Sequence, residues 1–186
     1  MADGIIIKKL ETADQDQVSR FRVKEADDKA LEVFIRRDAR KSAQANLTQT
    51  YVAKADGDRK VIAYISIMCA EVALERAYQI PDKAGADRYE YQPAVRIARL
   101  ATSRDHIGQG IGKRLVETVI GIVLLSIVPN VGCRFLILDA KPKSIDFYKK
   151  RGFRLLDTPE NLKKAKPLMF MDLRNLIDEA ASEAAA

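Results

Sequence analysis

Residues Arg99 to Leu115 read RLATSRDHIGQGIGKRL, and the order of residue types along this stretch decides the fold. Just upstream, Ala94-Val95-Arg96-Ile97-Ala98-Arg99-Leu100-Ala101 alternates apolar and basic side chains with the two-residue period of a strand. Downstream, Ile111, Leu115, Val119 and Ile122 recur at helical spacing. The run is therefore strand, glycine turn, helix. Gly108, Gly110 and Gly112 remove three side chains where the helix begins. Backbone N–H groups and the positive end of the helix dipole are left facing outward beside Lys113, an arrangement suited to a phosphate or pyrophosphate.

Two familiar phosphate loops do not fit this stretch. A P-loop needs glycine at Ile107 and Ser or Thr at Arg114, and the dinucleotide fingerprint needs glycine at Lys113 or Leu115. Glycines between a strand and a helix also serve a plain tight turn, so the triplet alone leaves both readings open.

Composition sets the outer limits. A chain of 186 residues with 47% hydrophobic and 31% charged residues is expected to form one domain with its own core, over residues 1–173, followed by a helical, alanine-rich tail at 174–186. Two cysteines, Cys69 and Cys133, are too few for a disulfide framework and fit a reducing compartment. The N-terminal apolar run is only three residues, and the apolar stretch Val119–Val128 is too short to span a bilayer. The expectation is a cytoplasmic protein without a membrane partner. Net charge of +6 permits an anionic partner such as CoA, nucleic acid or an acidic protein.

Outward from the central stretch, seven strands are expected: Gly4–Leu10, Thr48–Ala55, Val61–Leu74, Ala94–Thr102, Cys133–Leu138, Phe153–Leu156 and Pro167–Leu173. Helices are expected over Asp14–Val23, Asp27–Ala45, Gly110–Val128 and Lys143–Arg151, the last closed by Gly152. The helix from Gly110 is apolar almost all round in its second half, which predicts burial against a sheet. Arg36, Arg37, Arg40 and Lys41 cluster away from the apolar stripe Leu31, Phe34, Ile35 and Ala39, as on a solvated helix face. Glu75–Gln92, with Pro81 and Gly85, reads as a long connection. The pattern is an α/β fold with a mixed sheet.

Two motifs carry a resemblance to a known family. ARLATSRDHIGQGIGKRL (Ala98–Leu115) and CRFLILDAKPKSIDFYKKRGFRLL (Cys133–Leu156) together resemble the GNAT N-acetyltransferase superfamily. The first is similar to the family's Q/R-x-x-G-x-G/A loop, with Ile107 where Gln or Arg is usual. The second is similar to its late strand and a helix ending F-Y-x-x-x-G-F, with Lys141 where Asn is common. Residues Ala30–Ile35, Ala39 and Thr48–Val52 further resemble GNAT toxins of toxin–antitoxin pairs, although Lys24-Glu25-Ala26 replaces their usual Cys-Gly or Ser-Gly.

The resemblance implies a mixed sheet of about seven strands, splayed between the fourth and fifth and flanked by helices. It implies acetyl-CoA as acyl donor, bound by Leu100, Ala101, Thr102, Ile107, Gly108, Gln109, Gly110, Ile111, Gly112, Lys113, Ala140, Lys141, Ser144 and Phe147, with no metal. It also implies Tyr148 as the acid that protonates the departing thiolate, and the N–H of Ala101 or a neighbour as the oxyanion donor. Read without the resemblance, Tyr148 is a half-buried helix aromatic beside Phe147. Glu71 or a chain of waters is the candidate base, His106 is a rim residue, and Cys133 is structural. The resemblance implies a primary amine as acceptor, either of an aminoacyl-tRNA, which brings an antitoxin partner, or of a small molecule or protein N-terminus. A non-catalytic acyl-CoA-binding regulator is the reading from a different class, and a homodimer is compatible with the fold.

Overall fold

A computed structural model describes residues 4–12, 16–74, 77–80 and 89–178. Its seven strands are β1 (Ile5–Lys9), β2 (Gln49–Ala55), β3 (Ala63–Val72), β4 (Gln92–Thr102), β5 (Phe135–Asp139), β6 (Arg154–Leu155) and β7 (Leu168–Asp172). They form one sheet in the order β1-β2-β3-β4-β5-β7-β6. β4 and β5 are parallel, while β1–β2, β2–β3, β5–β7 and β6–β7 are antiparallel, so the sheet is mixed as expected. Ala94, Val95 and Arg96 of β4 pair with Phe135, Leu136 and Ile137 of β5.

The helices are α1 (Lys29–Val33), α2 (Ala39–Gln44), α3 (Ile111–Ile122), α4 (Ile145–Lys149) and α5 (Pro159–Leu162). A π turn, Phe34–Asp38, joins α1 to α2, so the expected helix over Asp27–Ala45 is present with one widened turn. Asn46, at φ 55°, closes it: the amides of Leu47 and Asn46 donate back to the carbonyls of Ser42 and Ala43.

The chain divides into two compact units, Met1–Met68 with Ile97–Val119, and Cys69–Arg96 with Ile120–Ala186. The first packs Leu10, Phe21, Phe34, Ile35, Val52, Tyr64 and Ala101 into one core. Across its β2–β3 pairing, the opposed residues Thr50 and Ser66 join their buried hydroxyls at 2.7 Å, which satisfies both without water. The second packs Val72, Leu74, Phe135, Ile137, Leu168 and Phe170, with Tyr78 edge-on to Phe135 and Phe170.

The structure differs from the sequence reading in three places. Residues 16–23 form no helix. Gln17 instead bridges to Lys60, with its amide on the Arg59 carbonyl and its carbonyl accepting from Val61, while Val18 and Phe21 enter the core. The remaining residues of that expected helix, Asp14 and Gln15, lie outside the described residues, as do Pro81, Gly85 and the tail beyond Asp178. The second half of the helix from Gly110 is not buried all round. Ile111, Leu115, Val116, Val119 and Val123 form one buried stripe, whereas Leu125 falls off it and is 80% exposed. The short helix α5 between β6 and β7 was not expected. Thr158 caps it by accepting from the Asn161 amide, and Pro159 opens it.

Candidate active site

The glycine-bearing loop belongs to the first unit. β4 ends at Thr102, and the Ser103 amide then donates to the Ile62 carbonyl (2.7 Å) and the Arg104 amide to the Arg22 carbonyl (2.8 Å). These two bonds anchor the exit of the strand on both sides. A 3-10 turn, Arg104–His106, leads to Gly108 at φ 84° and Gly110 at φ 75°. No atom lies within 4 Å of where a Cβ would stand at either glycine, so the requirement is backbone handedness and not space. The two left-handed residues turn the chain into α3, whose earliest backbone bond runs from the Arg114 amide to the Gly110 carbonyl (3.2 Å). The amides of Ile111, Gly112 and Lys113, in the first turn, have no intrahelical acceptor. Lys113 pairs with Glu117 at 3.7 Å, both exposed, and Ile107 is 52% exposed. Ser103 Oγ and His106 Nδ1 are buried atoms without a hydrogen-bond partner among the described residues.

Of the expected donor-binding residues, the structure thus gathers Leu100, Ala101 and Thr102 at the end of β4, Ile107 to Gly110 in the loop, and Ile111 to Lys113 in the first turn of α3. Ala140, Lys141, Ser144, Phe147 and Tyr148 belong to the second unit.

There, Ala140 follows β5 and donates its amide to the Pro167 carbonyl (2.9 Å). Lys141 precedes the 3-10 turn Pro142–Ser144, which runs straight into α4. Gly152, at φ 86°, ends α4: its amide donates to the Lys149 carbonyl and the Phe153 amide to the Tyr148 carbonyl. That double bond pattern is a glycine cap, and it fixes the backbone of Tyr148 itself. The Tyr148 ring meets Phe147 at 5.0 Å and Phe153 at 5.7 Å, both edge-on. Arg151 lies over the Phe147 ring at 3.6 Å and donates to the Phe147 carbonyl. Burial pushes the Tyr148 phenol up to about 12, with the Arg151 charge pulling weakly the other way. Tyr148 is therefore a neutral, proton-bearing phenol across the whole physiological range.

The other expected residues are located as follows. Glu71 is an exposed residue of β3 and lines a cavity of about 240 Å3 with Arg96, Thr158, Glu160, Asn161 and Lys164. Burial raises the Cys133 thiol above its ordinary value, so it stays protonated, which suits a structural residue and not an acyl carrier. The basic cluster is dispersed. Arg36 is spent on Glu32 (2.8 Å), Arg40 donates to the carbonyls of Glu11 and Asp16, and Arg37 and Lys41 are exposed. Sequence reasoning missed the buried Glu32, which gathers Lys29, Arg36 and the Val23 amide. It also missed Arg99, whose guanidinium lies 3.8 Å above the Phe34 ring. The i,i+3 and i,i+4 spacing of Lys29 and Arg36 from Glu32 was the available signal for the first; nothing local marked the second.

Among the described residues no helix is long and apolar enough to cross a membrane. Several solved structures are similar over nearly the whole chain. A tyrosine-to-phenylalanine mutant of KacT matches with a TM-score of 0.78 at 20% identity, covering 95% of this chain and 99% of that one. A tyrosine-to-phenylalanine mutant of the AtaT toxin, bound to the C-terminus of the antitoxin AtaR, matches at 0.74 and 25% identity, covering 94% and 96%. AtaT complexed with acetyl-methionyl-tRNAfMet matches at 0.76 and 23% identity, covering 92% and 96%. The model of the acetyltransferase (GNAT) family matches residues 11–153, most of the length, and the chain belongs to that family of acetyl-CoA-dependent N-acetyltransferases.

Proposed function

We propose that this acetyltransferase moves the acetyl group of acetyl-CoA to the amino group of an aminoacyl-tRNA by direct attack in a ternary complex. The observation that carries the acceptor is the similarity, over nine-tenths of both chains, to AtaT complexed with acetyl-methionyl-tRNAfMet. Similarity to an AtaT mutant bound to AtaR supports an antitoxin as a protein partner of this chain.

In the proposed chemistry the amides of Gly108 to Lys113 hold the donor pyrophosphate, with Ile107 and Gln109 flanking it. Leu100, Ala101, Thr102, Ala140, Lys141, Ser144 and Phe147 bind the rest of the donor. The amine nitrogen attacks the thioester carbonyl carbon, a C–N bond forms, and the oxyanion is stabilised by the N–H of Ala101. As the C–S bond breaks and its electron pair moves to sulfur, the sulfur takes the proton of the Tyr148 hydroxyl. Glu71 accepts the proton that the amine loses. Burial keeps the Tyr148 phenol protonated well beyond the physiological range, so the proton this assignment needs is present.

The test is transfer of labelled acetyl from acetyl-CoA to charged total tRNA, beside a panel of polyamines and amino acids. Label on the aminoacyl moiety, lost in Tyr148→Phe, is the expected result. Label confined to small amines would overturn the acceptor. CoA binding with no labelled product from any acceptor would overturn the catalytic assignment and leave an acyl-CoA-binding regulator.

A further inference from the structure

We infer that Arg99 is an anion-binding residue that takes a phosphate of the acceptor RNA on the edge of a guanidinium fixed over the Phe34 ring. This rests on the aminoacyl-tRNA reading above and adds to it a residue outside the donor-binding set.

The argument starts from what the neighbouring arginines do. Arg22, Arg40 and Arg114 are the other half-buried arginines of the first unit. Each gives its guanidinium N–H groups to protein oxygens: Arg22 to the carbonyls of Ser19 and Phe21, Arg40 to those of Glu11 and Asp16, and Arg114 to that of Ile5. That is the ordinary solution for a cation drawn partly out of water. Arg99 is the exception. Its contact is with a ring face, at 3.8 Å from the Phe34 centroid, and no hydrogen bond or ion pair joins its guanidinium to another of the described residues. Glu32, two residues before Phe34 on the same helical stretch, is already occupied by Lys29, Arg36 and the Val23 amide, with Arg22 at 3.8 Å.

The platform beneath Arg99 is rigid. Phe34 is 6% exposed and stacks on Tyr64 at 6.1 Å and 28°. Tyr64 is fully buried, donates its hydroxyl to the Leu31 carbonyl at 2.8 Å and is held edge-on by Phe21. A guanidinium centred over such a stack directs N–H donors to the side away from the ring. The edge offers a fork of parallel donors that matches two oxygens of a phosphate. Arg99 also sits in β4 just before Leu100, Ala101 and Thr102, so a phosphate held there lies beside the strand end proposed to meet the reacting thioester.

Binding of deacylated total tRNA to the full-length protein, measured from about 50 to 200 mM salt, tests this. Arg99→Met keeps an unbranched stem on the ring and removes the charge; Arg99→Lys keeps the charge. The expected result is a salt slope shallower by about 0.7–0.9 for Arg99→Met, a difference of roughly threefold in relative affinity across that range. Arg99→Lys should keep the wild-type slope, and the affinity for acetyl-CoA should be unchanged in both variants. A merely structural Arg99 would lower the melting temperature of Arg99→Met and leave its slope at the wild-type value, which overturns the inference. Weakened acetyl-CoA binding with an unchanged tRNA slope would assign the anion to the donor and overturn it equally. If wild-type protein retains no tRNA at about 50 mM salt, the aminoacyl-tRNA reading itself falls and takes this inference with it.

Discussion

Replacing Glu32 by glutamine removes the charge at the centre of a cluster that ties α1 to the segment before it. Glu32 is 1% exposed, and its carboxylate accepts from Lys29 Nζ (2.8 Å), Arg36 Nη1 (2.8 Å) and the Val23 amide (3.3 Å). Burial by itself would raise the carboxyl pKa, but the bonds from Lys29, Val23 and Arg36 outweigh it and hold the group below its usual range. A fully buried pair broken on one side costs about 3–5 kcal/mol. Here the Lys29 and Arg36 side chains are 62% and 34% exposed, so water recovers much of their solvation, and the glutamine oxygen still accepts one bond. The expected loss is therefore about 2 kcal/mol, or roughly 4–8 °C in melting temperature for a chain of this length. The pH dependence has a definite sign. The folded pKa lies below the unfolded value of about 4.3, so this stability is complete above that pH and is lost as pH falls through the depressed folded value. Calorimetric melts of wild type and Glu32→Gln should differ fully at pH 7, and the gap should close below about pH 4.3. A gap under about 2 °C at pH 7, or one that widens on acidification, would refute this account.

Tyr148→Phe should lower kcat by about 10²–10⁴ while calorimetric binding of acetyl-CoA is retained; an unchanged kcat would remove Tyr148 from the chemistry. Because burial pushes the Tyr148 phenol up to about 12, wild-type kcat should show no descending limb from this group below about pH 10. Gly110→Ala forces a side chain into φ 75° where no atom crowds the new Cβ, so its cost is backbone strain of about 1–2 kcal/mol. A raised KM for acetyl-CoA is the expected kinetic readout, and an unchanged KM would disconnect the turn from the donor. Asn161→Ala deletes bonds to the carbonyls of Leu156 and Leu168, which keep the amides of Thr158 and Leu156 as donors, and leaves the buried Leu168 amide unpaired. Chemical denaturation should show a loss of about 2 kcal/mol, and a loss under about 0.5 kcal/mol would show that water replaces the partner of that amide.

What the sequence made legible was whatever depends on short-range pattern. Alternation in Ala94–Ala101 and the spacing of Ile111, Leu115 and Val119 located β4 and α3, and the glycines between them are left-handed as a strand-to-helix turn requires. Gly152 likewise marked the end of α4 because its φ is positive. Patterns that tertiary contacts override were misread. A helix was expected over Asp14–Val23, yet the Gln17 amide and carbonyl bond to Arg59 and Val61, far along the chain. Arg36, Arg37 and Lys41 are exposed as on a solvated face, but nothing local signals that Arg40 reaches the carbonyls of Glu11 and Asp16. The isolation of Arg99 is invisible for the same reason, since the absence of a carboxylate partner is a property of the packed unit and not of the strand.

The burial of Tyr148 bears on the proposed acid step in two opposed ways. A phenol at about 12 is a poor acid toward an ordinary thiolate, whose conjugate acid titrates near 8.5. From the buried phenol to a hydrated thiolate the transfer would run uphill by about 3.5 pH units, or roughly 5 kcal/mol. The same desolvation that raises the phenol also raises a thiol brought beside it, because both anions lose water. A matched pair therefore forms only when the sulfur shares the environment made by Phe147, Phe153 and Arg151. On this account Tyr148 does not protonate a free thiolate after the bond has broken; it donates as charge develops on sulfur, where a buried hydrogen bond is strongest. In the proposed step Phe147, Phe153 and Arg151 would supply that environment, which a solvated tyrosine lacks.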